Sequence, residues 1–201
     1  MLPVVIYNHG GGCTGFQGVL TDDGFASAWI TGNAQEEFLC YAVAPYRASA
    51  NDDSLKVEDE MEAVKLIVDE LVAVGKVDVN RIYMAGESMG CIFAMTFCNK
   101  YPGYLAAAVL MDGGSFDVVV DANLEESVKQ SLDAPWSNEN LAALAESGTA
   151  VTIVQGVGDT VSVPIRHATV YKKLLVLGME DGSRWYGVLT PQMNSTSFSG
   201  V

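Results

Sequence analysis

Residues 86–90 read Gly-Glu-Ser-Met-Gly, a serine with glycine two positions away on either side. The pattern G-x-S-x-G is short enough to recur by chance, so its weight rests on its setting. Here an apolar stretch, Arg81 to Ala85 (RIYMA), precedes it and a helix-forming run, Cys91 to Lys100, follows it. A serine at such a strand–turn–helix junction is held on a sharp bend above a sheet, where helix-terminal amides face the same space. Glycine suits positions 86 and 90 because strand and helix pack closest there. Helix capping is the plainer reading of a serine in this place. The flanking glycines and the preceding strand favour Ser88 as a nucleophile instead.

Acyl transfer by a serine also needs donors for the negative charge that develops on the carbonyl oxygen. A second glycine-rich stretch, His9-Gly10-Gly11-Gly12, follows the apolar run Leu2 to Tyr7 (LPVVIY). Successive glycines leave amide N–H groups unshielded, and both loops fall at the carboxyl end of a strand. The amides of Gly11 or Gly12, together with that of Met89, are therefore the predicted oxyanion donors. No Gly-Lys-Ser/Thr follows the triple glycine, so a phosphate-loop reading fails.

Apolar runs of strand length alternate with helical segments, the pattern of a parallel sheet flanked by helices, so the fold class is α/β. Strands are predicted at Leu2–Tyr7, Phe38–Ala44, Arg81–Ala85, Ala106–Met111, Ala150–Gln155 and Trp185–Leu189, about six in all. Helices are predicted within Thr21–Glu37, Asp52–Val74, Cys91–Lys100 and Pro164–Leu177. Weaker ones are expected at Leu124–Leu132 and Asn138–Glu146. Residues 115–148 form a polar stretch long enough to serve as a lid or pocket wall. At 201 residues the chain reads as a single domain.

Composition excludes several functions. Eleven basic against 25 acidic residues give a net charge of −14, which repels phosphate backbones and disfavours nucleic-acid binding. Eight of the acids lie between Asp52 and Glu70, where a solvated helix face is the expected role. No apolar run reaches the length of a membrane span, and the start lacks a basic leader, which predicts a cytoplasmic chain. The cysteines, Cys13, Cys40, Cys91 and Cys98, form no CxxC pair and read as free thiols in a reducing compartment. Two histidines and scattered cysteines give no zinc-type ligand spacing, so no metal is expected.

Together these motifs resemble the α/β-hydrolase superfamily, in the branch whose esterases and lipases carry HGGG. The resemblance rests on His9 to Gly12, on Val77-Asp78-Val79-Asn80-Arg81-Ile82-Tyr83 leading into Gly86 to Gly90, and on Gly156 to Pro164 (GVGDTVSVP), in the family's order. It implies hydrolysis of carboxylic esters through an acyl-enzyme on Ser88, without a cofactor. Acyl-carbohydrate esterases and prolyl-oligopeptidase-like enzymes are among the similar members. Asp159, four residues beyond Gln155, stands where the family places its acid; Asp112 is the minor alternative, and closing a turn with Gly158 is the plainer role for Asp159.

The family's histidine follows the last strand, and none lies between Pro191 and Val201. His9 belongs to the glycine loop, and His167, on the helix after Asp159, would have to point back to the sheet edge to act as a base. If the Ser88 strand is the family's fifth, the first two strands are lacking, and the chain reads as truncated at both ends. The strand at 38–44 would then be an open apolar edge, which predicts homodimerisation through it. The main reading is a serine hydrolase of small-molecule esters. A catalytically impaired hydrolase-fold binding protein is the alternative, and a peptidase the third.

Overall fold

The structure, a computed structural model, describes residues 1–11, 24–46, 57–181 and 186–189. Six strands form one sheet: β1 (Leu2–Asn8), β2 (Tyr41–Val43), β3 (Val77–Glu87), β4 (Ala107–Met111), β5 (Ala150–Gly156) and β6 (Tyr186–Leu189). Their order is β2-β1-β3-β4-β5-β6, and every neighbouring pair is parallel. The helices between them are α1 (Gly24–Ala28), α2 (Gly32–Glu37), α3 (Val57–Ala73), α4 (Met89–Lys100), α5 (Leu124–Ser127), α6 (Asn138–Glu146) and α7 (Pro164–Val176). This is the α/β class expected, with β1, for one, buried enough to read as an apolar run.

Side chains alternate between the two faces of the sheet. Val4, Ile6, Ile82, Met84, Leu110 and Ile153 point to one face and share a core with residues of α3, α4, α6 and α7. Tyr7, Ala85 and Met111 point to the other, where Ala26 of α1 packs on them. Helices therefore flank both faces, but four of them load one side. On that side Phe97 and Met95 of α4 are fully buried, and a buried side chain of this kind contributes about 1.5–3 kcal/mol. The loading seats α4 directly under the sheet, which fixes the position of Ser88 at its start.

Several elements differ from their sequence-based bounds, each for a local reason. The strand expected at 38–44 is only Tyr41–Val43: Phe38 ends α2, its amide donating to the Ala34 carbonyl at 2.7 Å. Gln35 Nε2 then donates to the Cys40 carbonyl at 3.2 Å, holding the approach to β2 off the sheet. The helix expected within 21–37 is two pieces, because Thr31 Oγ1 donates to the Ala28 carbonyl at 3.0 Å and turns the chain between them. The helix expected at 124–132 stops at Ser127. A capping box of Asn123 and Glu126 starts it, and α7 then takes over the chain: Thr169 Oγ1 meets Ser127 Oγ at 2.7 Å and Lys173 Nζ donates to the Gln130 carbonyl at 2.7 Å.

Within 115–148, Val118, Leu132, Trp136, Leu141 and Leu144 are buried in the main core. Lys173, itself buried, also reaches Asn138 Oδ1 at 2.9 Å. The described cysteines Cys40, Cys91 and Cys98 are free and buried; Cys13 lies outside the described residues. Among the described residues no helix is long and apolar enough to cross a membrane.

Candidate active site

Ser88 stands between β3 and α4 with φ 51° and ψ −115°, in the left-handed half of backbone space that a serine adopts only when its surroundings impose it. Packing imposes it here. A Cβ added at Gly90 would collide with the Asn8 carbonyl oxygen and come within 2.7 Å of its carbon, and one at Gly86 would collide with the Gly90 carbonyl. Strand β1, strand β3 and the first turn of α4 thus meet backbone to backbone, and the bend at Ser88 is what joins them. The Ser88 amide donates to the Met111 carbonyl at 2.8 Å, tying the bend to the end of β4.

Beneath the bend lies Cys91, fully buried, whose thiol donates to the carbonyls of Gly86 at 3.1 Å and Met111 at 3.2 Å. Burial pushes this thiol well above its ordinary range, and the nearby Glu87 and Asp112 charges act in the same direction against the Met111 hydrogen bond. It is a protonated brace across the turn, which removes it as a rival nucleophile.

The Ser88 side chain makes no capping hydrogen bond, although Ser88 occupies the N-cap position of α4. The amide of Met89, first residue of α4, has no acceptor inside the helix. Against this turn lies the glycine loop. A Cβ on Gly11 would sit 2.6 Å from Met89 Sδ, and one on Gly10 would strike the Glu87 carboxylate. Gly11 thus packs against the side chain of Met89, the residue that follows Ser88. Gly12, the other predicted donor, lies outside the described residues.

Two carboxylates occupy the next loops along the same edge. Asp159, after β5, is buried, and its Oδ1 accepts from the amides of Val161 at 2.8 Å and Ser162 at 3.0 Å, so it closes its own turn. Asp112, after β4, is also buried, adopts φ 48° and accepts from the Gly156 amide at 2.6 Å. Burial raises the Asp112 pKa above the usual carboxylate range, and the Asp159 charge adds to the rise, while the Gly156 hydrogen bond opposes both.

Neither histidine is placed as a base for Ser88. His9 keeps the glycine loop in shape, with Nδ1 2.8 Å from the Gly10 carbonyl and its ring stacked 6.0 Å from that of Tyr46. His167 is fully buried on α7, and both of its ring nitrogens lack hydrogen-bond partners. Burial alone lowers its pKa to about 3, far from the value near 7 that suits a general base. Arg166 sits in the first turn of α7 beside the loops after β4 and β5, and a lone cation in that turn is its only trace in the sequence.

No family model matches the chain, and no curated protein sequence does. Solved structures do. A thermostable esterase superposes with a TM-score of 0.66 at 21% identity, covering 93% of this chain and 46% of that one. SOBER1 from Arabidopsis thaliana gives 0.62 at 14%, covering 96% and 90%, and a putative dienelactone hydrolase from Klebsiella pneumoniae gives 0.60 at 15%, covering 96% and 75%. The chain thus spans about half the length of the esterase and most of the other two. At these identities the likeness is one of fold, and that fold is α/β-hydrolase-like.

Proposed function

We propose that this chain, with its α/β-hydrolase-like sheet, is a carboxylic ester hydrolase acting through an acyl-enzyme on Ser88. The observation that supports the reading is the strained Ser88 backbone, whose hydroxyl makes no capping bond and whose neighbours Glu87 and Met89 lie against the glycine loop. Ser88 Oγ attacks the ester carbonyl as its proton passes to solvent water, which in turn supplies the proton that the departing alkoxide takes up. The amides of Met89 and of Gly11 or Gly12 receive the oxyanion of the tetrahedral intermediate. Collapse expels the alcohol, and water then releases the acid from the acyl-enzyme. Asp159, in the loop after β5, is proposed as the acid of the site. Acyl-carbohydrate esters are the finer substrate class proposed, with residues 115–148 forming the pocket wall.

A second reading, a binding protein on the same fold, is favoured by one fact: His167 is sealed away from solvent with neither ring nitrogen hydrogen-bonded. A fluorophosphonate probe separates the two. Stoichiometric labelling of Ser88 that disappears in Ser88→Ala is the expected result, and folded protein that takes no label supports the binder.

Assembly is proposed through the outer edge of β2, where among the described residues no strand pairs. Phe38 and Leu39, 60% and 56% exposed, lie beside that edge. An open edge flanked by apolar side chains recruits another strand. Light scattering behind size exclusion should show a dimer at micromolar concentration, and the double variant Phe38→Asp, Leu39→Lys should elute as a monomer. A monomeric parent chain would end this part of the proposal.

A further inference from the structure

We infer that Arg166 is a recognition residue for a carboxylate carried on the substrate, close to Ser88. The inference rests on the hydrolase reading for the reaction, but not for the binding of the anion.

In a chain of net charge −14, a half-buried cation without an acidic partner needs a reason. Among the described residues, ion pairs engage Lys65 with Asp69, Arg81 with Asp78 and Lys100 with Glu62. Lys76, Lys129 and Lys172 are exposed, and water satisfies them, while the buried Lys173 has two oxygen acceptors, the Gln130 carbonyl and Asn138 Oδ1. Arg166 is only partly exposed and has no carboxylate within ion-pair distance among the described residues. Its Nη1 donates to the Val161 carbonyl at 2.7 Å, and its guanidinium lies 4.1 Å from the Phe116 ring centroid. Its Nε is buried with no partner at all. Tethering a loop through one carbonyl needs no charge; a glutamine would do it without the desolvation cost of a cation.

Arg166 also stands in the right place. Val161 belongs to the loop of Asp159, and Phe116 to the loop that follows β4. The diglycine Gly113-Gly114 connects the two centres. A Cβ on Gly113 would strike the Ser88 carbonyl, and one on Gly114 would come within 2.5 Å of the Arg166 carbonyl carbon. With adjacent α-carbons 3.8 Å apart, the Ser88 and Arg166 backbones are within about 12 Å of each other. An arginine side chain and a five-carbon acyl group are together long enough for that distance.

The chemistry favours a carboxylate. The guanidinium is a planar cation that donates strongly to carboxylates, and Phe116 and Val161 hold it in one orientation with Nη2 left for a ligand. The first turn of α7, a helix of 13 residues, adds its positive end in the same region. Glu87, Asp112 and Asp159 repel an anionic substrate from the rest of this edge, so its carboxylate has one place to go.

The test compares the 4-nitrophenyl hemiester of glutaric acid with 4-nitrophenyl pentanoate, of equal chain length, on the full chain at pH 7.5 and low salt. The readout is the ratio of the two kcat/KM values. Arg166→Gln should lower that ratio roughly 10- to 100-fold, mainly through KM of the hemiester, since a hydrogen bond to a charged group is worth about 1.5–3 kcal/mol. Arg166→Lys, which keeps the charge and loses the planar guanidinium, should lower it less. Calorimetry with glutarate provides a measurement free of turnover: binding to the parent chain and none to Arg166→Gln. Should neither ester be hydrolysed while glutarate binding still depends on Arg166, the hydrolase reading fails and the anion site stands. A ratio unchanged in both variants, or glutarate that the parent chain does not bind, overturns the inference.

Discussion

Ser88→Ala is expected to lower kcat/KM for a nitrophenyl ester by about three orders of magnitude or more, and Ser88→Gly to do the same while raising stability by about 1 kcal/mol. The two variants remove the same hydroxyl and differ only in the backbone. At φ 51° an alanine Cβ keeps the strain that the serine carries, of order 1–3 kcal/mol, whereas glycine has no Cβ to strain. Part of that gain is offset because glycine gains more freedom in the unfolded chain. Rates on the ester and urea unfolding midpoints check both halves. An alanine variant that retains the rate removes Ser88 from the chemistry. A glycine variant no more stable than the alanine variant would show that the bend is unstrained.

The pairing of activity with strain explains why this part of the site is legible in the sequence. Gly86 and Gly90 are there because β1, β3 and α4 touch backbone to backbone, and that same contact forces the serine into the bend. A local pattern and a tertiary constraint coincide, so five residues carry both. The first strand is legible for a related reason: from Val4 to Tyr7 it is buried on both faces, and a run such as VVIY leaves little else to propose. Arg166 has no such signature. What marks it is a missing partner and a ring beneath it, and both depend on loops that only the folded sheet brings together. Asp112 is similar, since its left-handed backbone and its bond to Gly156 follow from the pairing of β4 with β5. The shortening of β2 likewise turns on Gln35 reaching back to Cys40, a side-chain contact that hydropathy does not encode.

His167 is the second place where a large effect is expected. Both ring nitrogens are buried and unpartnered, and leaving such a group without a hydrogen bond costs about 1–3 kcal/mol, so His167→Leu should stabilise the protein at pH 7 by about 1–2 kcal/mol. The gain grows in acid. Burial holds the folded pKa at about 3, against 6.5 for the free side chain. Between those values the unfolded chain binds a proton that the folded chain refuses, so stability falls as pH drops below 6.5 and the loss is complete near 3. At pH 4.5, two units into that window, the wild-type chain gives up about 3 kcal/mol that a leucine in the same space does not. Urea unfolding of both proteins at pH 7 and pH 4.5 isolates this contribution, because every other titrating group cancels in the difference. A difference that stays flat with pH would mean that the ring finds a partner for its proton. His167→Leu should also leave fluorophosphonate labelling of Ser88 intact, because an imidazole that stays neutral and out of reach takes no proton from the serine.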